Sequence, residues 1–107
     1  MKPVLLFLTC ANEQEAHNIT NMLLEERLVA CIKWQTITSH FIWQNKKESA
    51  TEILLIMDSI EEHYESIHAR VKELHSYSTF VLVAVPIIKT SDEVRAWLSA
   101  ELRLPNI

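Results

Sequence analysis

Hydrophobic and polar positions change period several times along the chain, and each change marks an element. Val4 to Thr9 is apolar almost throughout, which predicts a central strand covered on at least one face. Asn12 then stands three residues ahead of Glu15, the spacing of a capping box, and predicts a helix start. Ala16, Ile19, Met22, Leu23 and Leu28 follow at helical spacing, with His17, Asn18, Asn21 and Glu25 on the opposite face. This helix is expected to end near Arg27.

Two runs rich in β-branched and aromatic residues come next, Cys31 to Trp43 and Thr51 to Met57. The stretch between them, Gln44 to Ser49, is wholly polar and contains Asn45, a residue that tolerates left-handed turn geometry. Together they predict a long β-hairpin. Its first strand does not alternate cleanly: Ile37, Phe41 and Trp43 are odd-numbered, Ile32, Trp34 and Ile42 even. A bulge accounts for that change of face, as does burial on both faces. The second strand sets Ile53, Leu55 and Met57 on one face and Leu54 and Ile56 on the other, again a two-sided pattern. Strands of this length outgrow so small a chain, so the overhang is either exposed or paired with another subunit.

Asp58 and Ser59 are expected to start a second helix, with Ser59 and Glu62 as its capping box. Ile60, Tyr64, Ile67, Val71 and Leu74 supply its stripe, the clearest periodicity in the chain. His75 to Ser78 reads as a short loop and Thr79 to Ile88 as an apolar strand closed by Pro86 and a polar turn. Ser91 and Asp92 cap a third helix with Val94, Trp97, Leu98 and Leu102 on one face, and Pro105 ends the order. The fold class is therefore α+β: a ferredoxin-like β-α-β-β-α-β sandwich with an extra C-terminal helix and a long hairpin between its second and third strands. Two helices cover one sheet face. The other is open and apolar, which favours a partner, most simply further copies of the same chain.

Composition narrows the classes. With 107 residues the chain is one domain, 1–107, and with 49% hydrophobic residues it can build a core without disulfides or metal. Its two cysteines, Cys10 and Cys31, have no C-x-x-C spacing, which fits a reducing, cytoplasmic setting and neither a disulfide scaffold nor a structural zinc site. The N-terminal apolar run is shorter than a signal-peptide core and reads as a strand. No run approaches the ~20 residues of a membrane span. A net charge of −4 without a basic block argues against nucleic acid. The absence of glycine excludes Gly-rich phosphate loops, whose backbone must approach the phosphate closely.

Candidate chemistry is sparse. The chain has no G-x-S-x-G, H-E-x-x-H or EF-hand pattern. His63 and His68 lie about 140° apart around a helix axis and cannot share a metal well. They and His17 read as surface residues, and His40 as a partly buried strand residue. His75 opens a loop before a central strand, a position that often carries function, and the other reading is a helix C-cap. Cys10 sits ahead of a helix N-terminus, where the dipole can lower a thiol pKa. Read as a nucleophile it would make a small cysteine-dependent enzyme, but no base is paired with it. Cys31 reads as buried. Trp43, Lys46 and Glu52 stand near the hairpin turn, where they either line a pocket or are ordinary packing and solvated charge.

In this order the residues resemble the CutA divalent-cation-tolerance family. The matching pieces are Leu8 to Glu13, Leu28 to Ile32, Trp43 to Lys46, Glu52 with its strand, His75 to Thr79, and Trp97-Leu98. The resemblance implies a ferredoxin-like fold, a homotrimer whose long hairpin strands pair between subunits, kinship with PII-type signalling proteins, and a link to copper tolerance without enzymatic activity. With such a trimer, the hairpin overhang and the loop motif point to an inter-subunit cleft lined by Trp43, Lys46, Glu52, His75 and Tyr77, taking a small ligand or a metal ion such as copper. The alternative it leaves is a PII-like small-molecule module without metal. Departures are visible. Leu8 and Leu74 occupy positions where copper-binding members are proposed to use cysteine and histidine, which leaves His75, with Cys10 two residues from Leu8, as the metal candidates. Asn45 replaces the usual turn glycine. Phe80 and Val81 replace a proline and an acidic residue.

Overall fold

The computed structural model describes residues 1–105. The elements are β1 (Pro3–Cys10), α1 (Glu13–Glu25), β2 (Cys31–Trp43), β3 (Lys46–Ile60), a short 3-10 turn (Glu61–His63), α2 (Tyr64–Leu74), β4 (Leu82–Pro86) and α3 (Asp92–Glu101). The strands form one antiparallel sheet in the order β2-β3-β1-β4, as the ferredoxin-like pattern predicts.

Strand alternation divides the sheet into two faces. Val4, Leu6, Leu8 and Cys10 of β1 and Ile53, Leu55 and Met57 of β3 are buried in one core with Ile19 and Leu23 of α1 and Ile67 and Val71 of α2. A smaller cluster joins Ile60 to Leu98 and Leu102 and seats α3. On the opposite face Leu5 and Phe7 are half-buried, and their β4 partners Val85 and Val83 are exposed.

Helix ends are set by local chemistry. Asn12 Oδ1 accepts the Glu15 N–H at 2.9 Å, as its spacing predicts, and Ser91 Oγ accepts the Val94 N–H at 3.2 Å. At the exit of α1 the Leu28 N–H donates to Leu23 O and the Arg27 N–H to Leu24 O, a Schellman arrangement. Its left-handed position, φ 54, falls to Arg27 in a chain with no glycine.

The hairpin differs from expectation in two respects. Its register runs unbroken from Cys31 opposite Asp58 to Trp43 opposite Lys46, so β2 has no bulge. The turn is Gln44-Asn45 alone, with φ of 50° and 65°, the two positive values a tight type I′ hairpin turn requires. Lys46 to Ser49 are therefore strand. Their polarity reflects exposure on both sides of a projecting ribbon, not a loop. β1 pairs with β3 only as far as Cys10 opposite Ile53. From Ile37 and Glu52 onward the hairpin stands free, a reach of about 23 Å at a strand's ~3.3 Å per residue.

The second helix also starts later than predicted. Pairing with β1 carries β3 through Ser59 and Ile60, and the buried Ser59 Oγ donates to Leu28 O at 2.6 Å instead of capping. Glu62 accepts from the Lys2 N–H, and α2 begins without a side-chain cap. A continuous ladder along β1 outweighs the capping box. The last strand is shorter than Thr79 to Ile88. It leaves the ladder before Leu82, where the Thr9 carbonyl accepts from His75, and Ile88 is exposed beyond its other end.

Candidate functional site

The end of β1, the first turn of α1 and the loop after α2 meet around two buried side chains. Glu15, in the first turn of α1, accepts the Ala11 N–H at 2.8 Å and, from the far side, the Ser76 N–H at 2.6 Å. Burial pushes its carboxyl up, but these N–H groups, the Ser76 hydroxyl and nearby His75 together hold it below the usual glutamate range. His75 is the C-cap of α2, and its side chain is fully buried. Its Nδ1 accepts the Tyr77 N–H at 3.0 Å, so Nε2 carries the proton and donates to Thr9 O at 2.8 Å. The ring stacks on Phe80 with centroids 5.0 Å apart.

This anchoring orients Tyr77. Its hydroxyl donates to Glu52 Oε2 at 2.8 Å, and burial together with that bond pushes the phenol up to about 12. Glu52 is buried, 6% exposed, at the root of the free hairpin. Beside the pair lies a groove of about 710 Å³. Ser39, Phe41, Ile42 and Trp43 of the hairpin line it, and Tyr77 to Thr79, Val81 and Thr9 close the other side. The β2–β3 register puts Glu52 opposite Ile37, on the same ribbon face as Ser39, Phe41 and Trp43.

Of the five residues expected to line a cleft, the fold brings three together: Trp43, Glu52 and Tyr77. Lys46 pairs with Trp43 beside the turn but is not part of the lining. His75 supports the loop from beneath, with its ring on the backbone. Phe41, Ile42 and Val81 join the lining; in the sequence Val81 stands out as an apolar replacement for an acidic residue, and Phe41 and Ile42 only for their strand pattern. Alternation with Trp43 pointed to Phe41. Glu15 was visible as a capping residue, but its reach to Ser76 was not.

Cys10, Glu15 and His75 place one potential ligand atom each within 4.8 Å of the others. As arranged, the set does not fit a divalent cation. Nδ1 of His75 is occupied by the Tyr77 N–H and Nε2 by its own proton, so the ring offers no free lone pair. The Cys10 thiol is pushed up to about 12 by burial and by the charges of Glu15 and Glu52, opposite to the lowering expected from the helix dipole. That level leaves it protonated and a poor ligand or nucleophile. Leu8 is in the core and Leu74 is exposed, and neither has a donor atom.

The remaining histidines are structural or peripheral. His63, expected at the surface, is 2% exposed, with Nε2 at 2.8 Å from Arg103 O, because the chain after α3 folds over it. His17 meets the Trp34 ring edge to face at 4.4 Å. His68 packs against Phe80 at 5.0 Å. His40, expected to be partly buried, is exposed on the free ribbon.

Comparison with known proteins agrees with this architecture. A family profile described as "CutA1 divalent ion tolerance protein" matches residues 4–101. The Divalent-cation tolerance protein CutA of Archaeoglobus fulgidus is 34% identical over 93 residues, covering 87% of this chain and 91% of that one. Its Thermus thermophilus counterpart is 34% identical over 99 residues, covering 92% and 95%. The solved Archaeoglobus fulgidus structure, named a periplasmic divalent cation tolerance protein CutA, superposes with a TM-score of 0.92 at 32% identity, covering 94% of this chain and 99% of that chain. CutA1 from Oryza sativa superposes with a TM-score of 0.92 at 24% identity, covering 96% and 95%, a likeness of fold. With profile, relatives and fold in agreement, the chain belongs to the CutA1 divalent ion tolerance family.

Proposed function

We propose that this chain is a non-enzymatic binding or regulatory protein of divalent cation tolerance, including the response to copper, and that it works as a cytoplasmic homotrimer. Its working site is the groove between the free hairpin and the Tyr77–Val81 loop, brought next to another subunit when hairpins pair. The observation that carries this is the ribbon beyond Thr36 and Ile53. It has unpaired edges and exposes Phe41, Ile42 and Trp43 at its tip. Long exposed apolar edges are aggregation-prone unless another chain covers them, and a closed symmetric assembly does so without leaving an open end. The two free cysteines support a reducing compartment.

Light scattering on the purified chain at micromolar concentration tests the assembly. The expected mass is three times the 12.4 kDa of one chain, and a monomer removes the proposal.

A PII-like module that binds a small molecule rather than a metal is favoured by the internal saturation of His75. Calorimetric titration with Cu(II) and Cu(I), on the natural chain and on His75→Ala, separates the two. Copper binding lost in the variant returns the site to the metal; binding unchanged removes His75 from the site, and no binding in either chain supports the small-molecule module.

A further inference from the structure

We infer that a metal ion and the anchored loop exclude each other: the Cys10–Glu15–His75 set is closed to an ion in the native chain and opens to one only where the loop after α2 has come away. The three side chains are buried within one chain, so neither the groove nor the packing of copies bears on this.

By residue type the set suits zinc, with one thiol, one imidazole and one carboxylate within reach of a single ion. A ligand must present a free lone pair and give up its proton. The hydrogen bonds around His75 prevent both. Coordination through Nδ1 requires the Tyr77 N–H, 3.0 Å away, to leave. Coordination through Nε2 moves its proton to Nδ1, where it meets the same N–H, and strips the Thr9 carbonyl of its donor. Either route displaces Tyr77, whose hydroxyl donates to Glu52 at 2.8 Å.

Glu15 adds a second tie, because its two oxygens accept the Ala11 and Ser76 N–H groups from opposite sides. Among the described residues no buried side-chain nitrogen or oxygen lacks a partner, so the native fold holds no such donor in reserve for an ion. An ion that binds the opened or unfolded chain better than the native one destabilises it by mass action. A native metal site has the opposite sign.

The test is urea unfolding of the intact protein at neutral pH and fixed protein concentration, under reducing conditions, with and without zinc. Zinc is the probe because it is redox-inert and does not oxidise the thiols. With free zinc at about ten times the dissociation constant measured for the chain in high urea, the unfolding constant is expected to rise about tenfold, and the midpoint to fall. In Cys10→Ser the rise is expected to shrink at least twofold. The ring nitrogen resonances of His75 in the folded protein are expected not to move at that zinc concentration. A midpoint that zinc raises or leaves unchanged overturns the inference, as does an undiminished rise in Cys10→Ser or a metal-bound shift of either ring nitrogen. If Cys10→Ser does not fold, the direction of the midpoint and the His75 resonances in the natural protein decide.

Discussion

The Glu15 carboxylate accepts the Ser76 N–H at 2.6 Å across a sequence separation of 61 residues. That bond ties the first turn of α1 to the loop that carries His75 and Tyr77. The same carboxylate accepts the Ala11 N–H, so one side chain satisfies two backbone donors that no regular element satisfies. Ala11 is half-buried and Ser76 exposed, so water partly replaces the lost acceptor. Glu15→Ala is therefore expected to lower stability by about 1–2 kcal/mol, the low end for two lost hydrogen bonds to a charged group. Glu15→Gln retains an acceptor and is expected to lose about half as much. Urea denaturation measures both, and an alanine variant as stable as the natural chain would show that the bonds contribute nothing.

The same site sets a pH dependence. The folded Glu15 carboxyl lies below the usual glutamate value. A carboxyl shifted down contributes stability that is present above its unfolded pKa, about 4.3, and is lost as pH falls through the folded value. Stability is therefore expected to decline below about pH 4.3, and the decline to be shallower in Glu15→Gln. Some slope persists in that variant, because Arg70 holds the Glu26 carboxyl down as well. Denaturant midpoints from pH 7 to pH 3 give the comparison; parallel curves count against a role for Glu15.

The two thiols are expected to separate cleanly. Cys10 is fully buried, with its pKa pushed up to about 12, whereas Cys31 is half-buried at the start of β2. Iodoacetamide at pH 8 is expected to label Cys31 first and to reach Cys10 only on unfolding, as read by peptide mass spectrometry. Faster labelling of Cys10 in the native protein would revive it as a nucleophile.

Gln44 and Asn45 both hold positive φ at the hairpin turn. Asparagine accepts that geometry readily, but glutamine is strained by roughly 1 kcal/mol. Replacing the pair by Asn-Gly, Gln44→Asn with Asn45→Gly, is expected to raise stability by about 1 kcal/mol. Asn45→Val is expected to lower it by about as much, because a β-branched side chain clashes there. Thermal melts at fixed protein concentration check both, since melting of an assembly depends on concentration.

Local chemistry was legible wherever neighbours in sequence are also partners in space. Periodicity and capping residues located β1, α1 and α3 to within a residue or two, because Asn12 and Ser91 bond within their own helical turn. The element order carried the sheet topology, since short connections leave few ways to wind β-α-β units. The motif at Trp43 and the loop at Tyr77 were also visible, as residue types that suit a cleft.

What only the tertiary structure decided lies in competition between distant partners. Ser59 and Glu62 have capping-box spacing, yet pairing with β1 keeps Ser59 in a strand. Cys10 precedes a helix N-terminus, yet burial and two carboxylates overcome the dipole. His75 has the loop position of a functional histidine, but Thr9 and Tyr77, brought by the fold, occupy both of its nitrogens. Helical periods and caps follow from interactions a few residues long, which the sequence by itself determines. Burial, ladder length and the pairing of Glu52 with Tyr77 depend on which segments meet, and that is settled when the sheet and its two covering helices close on one core.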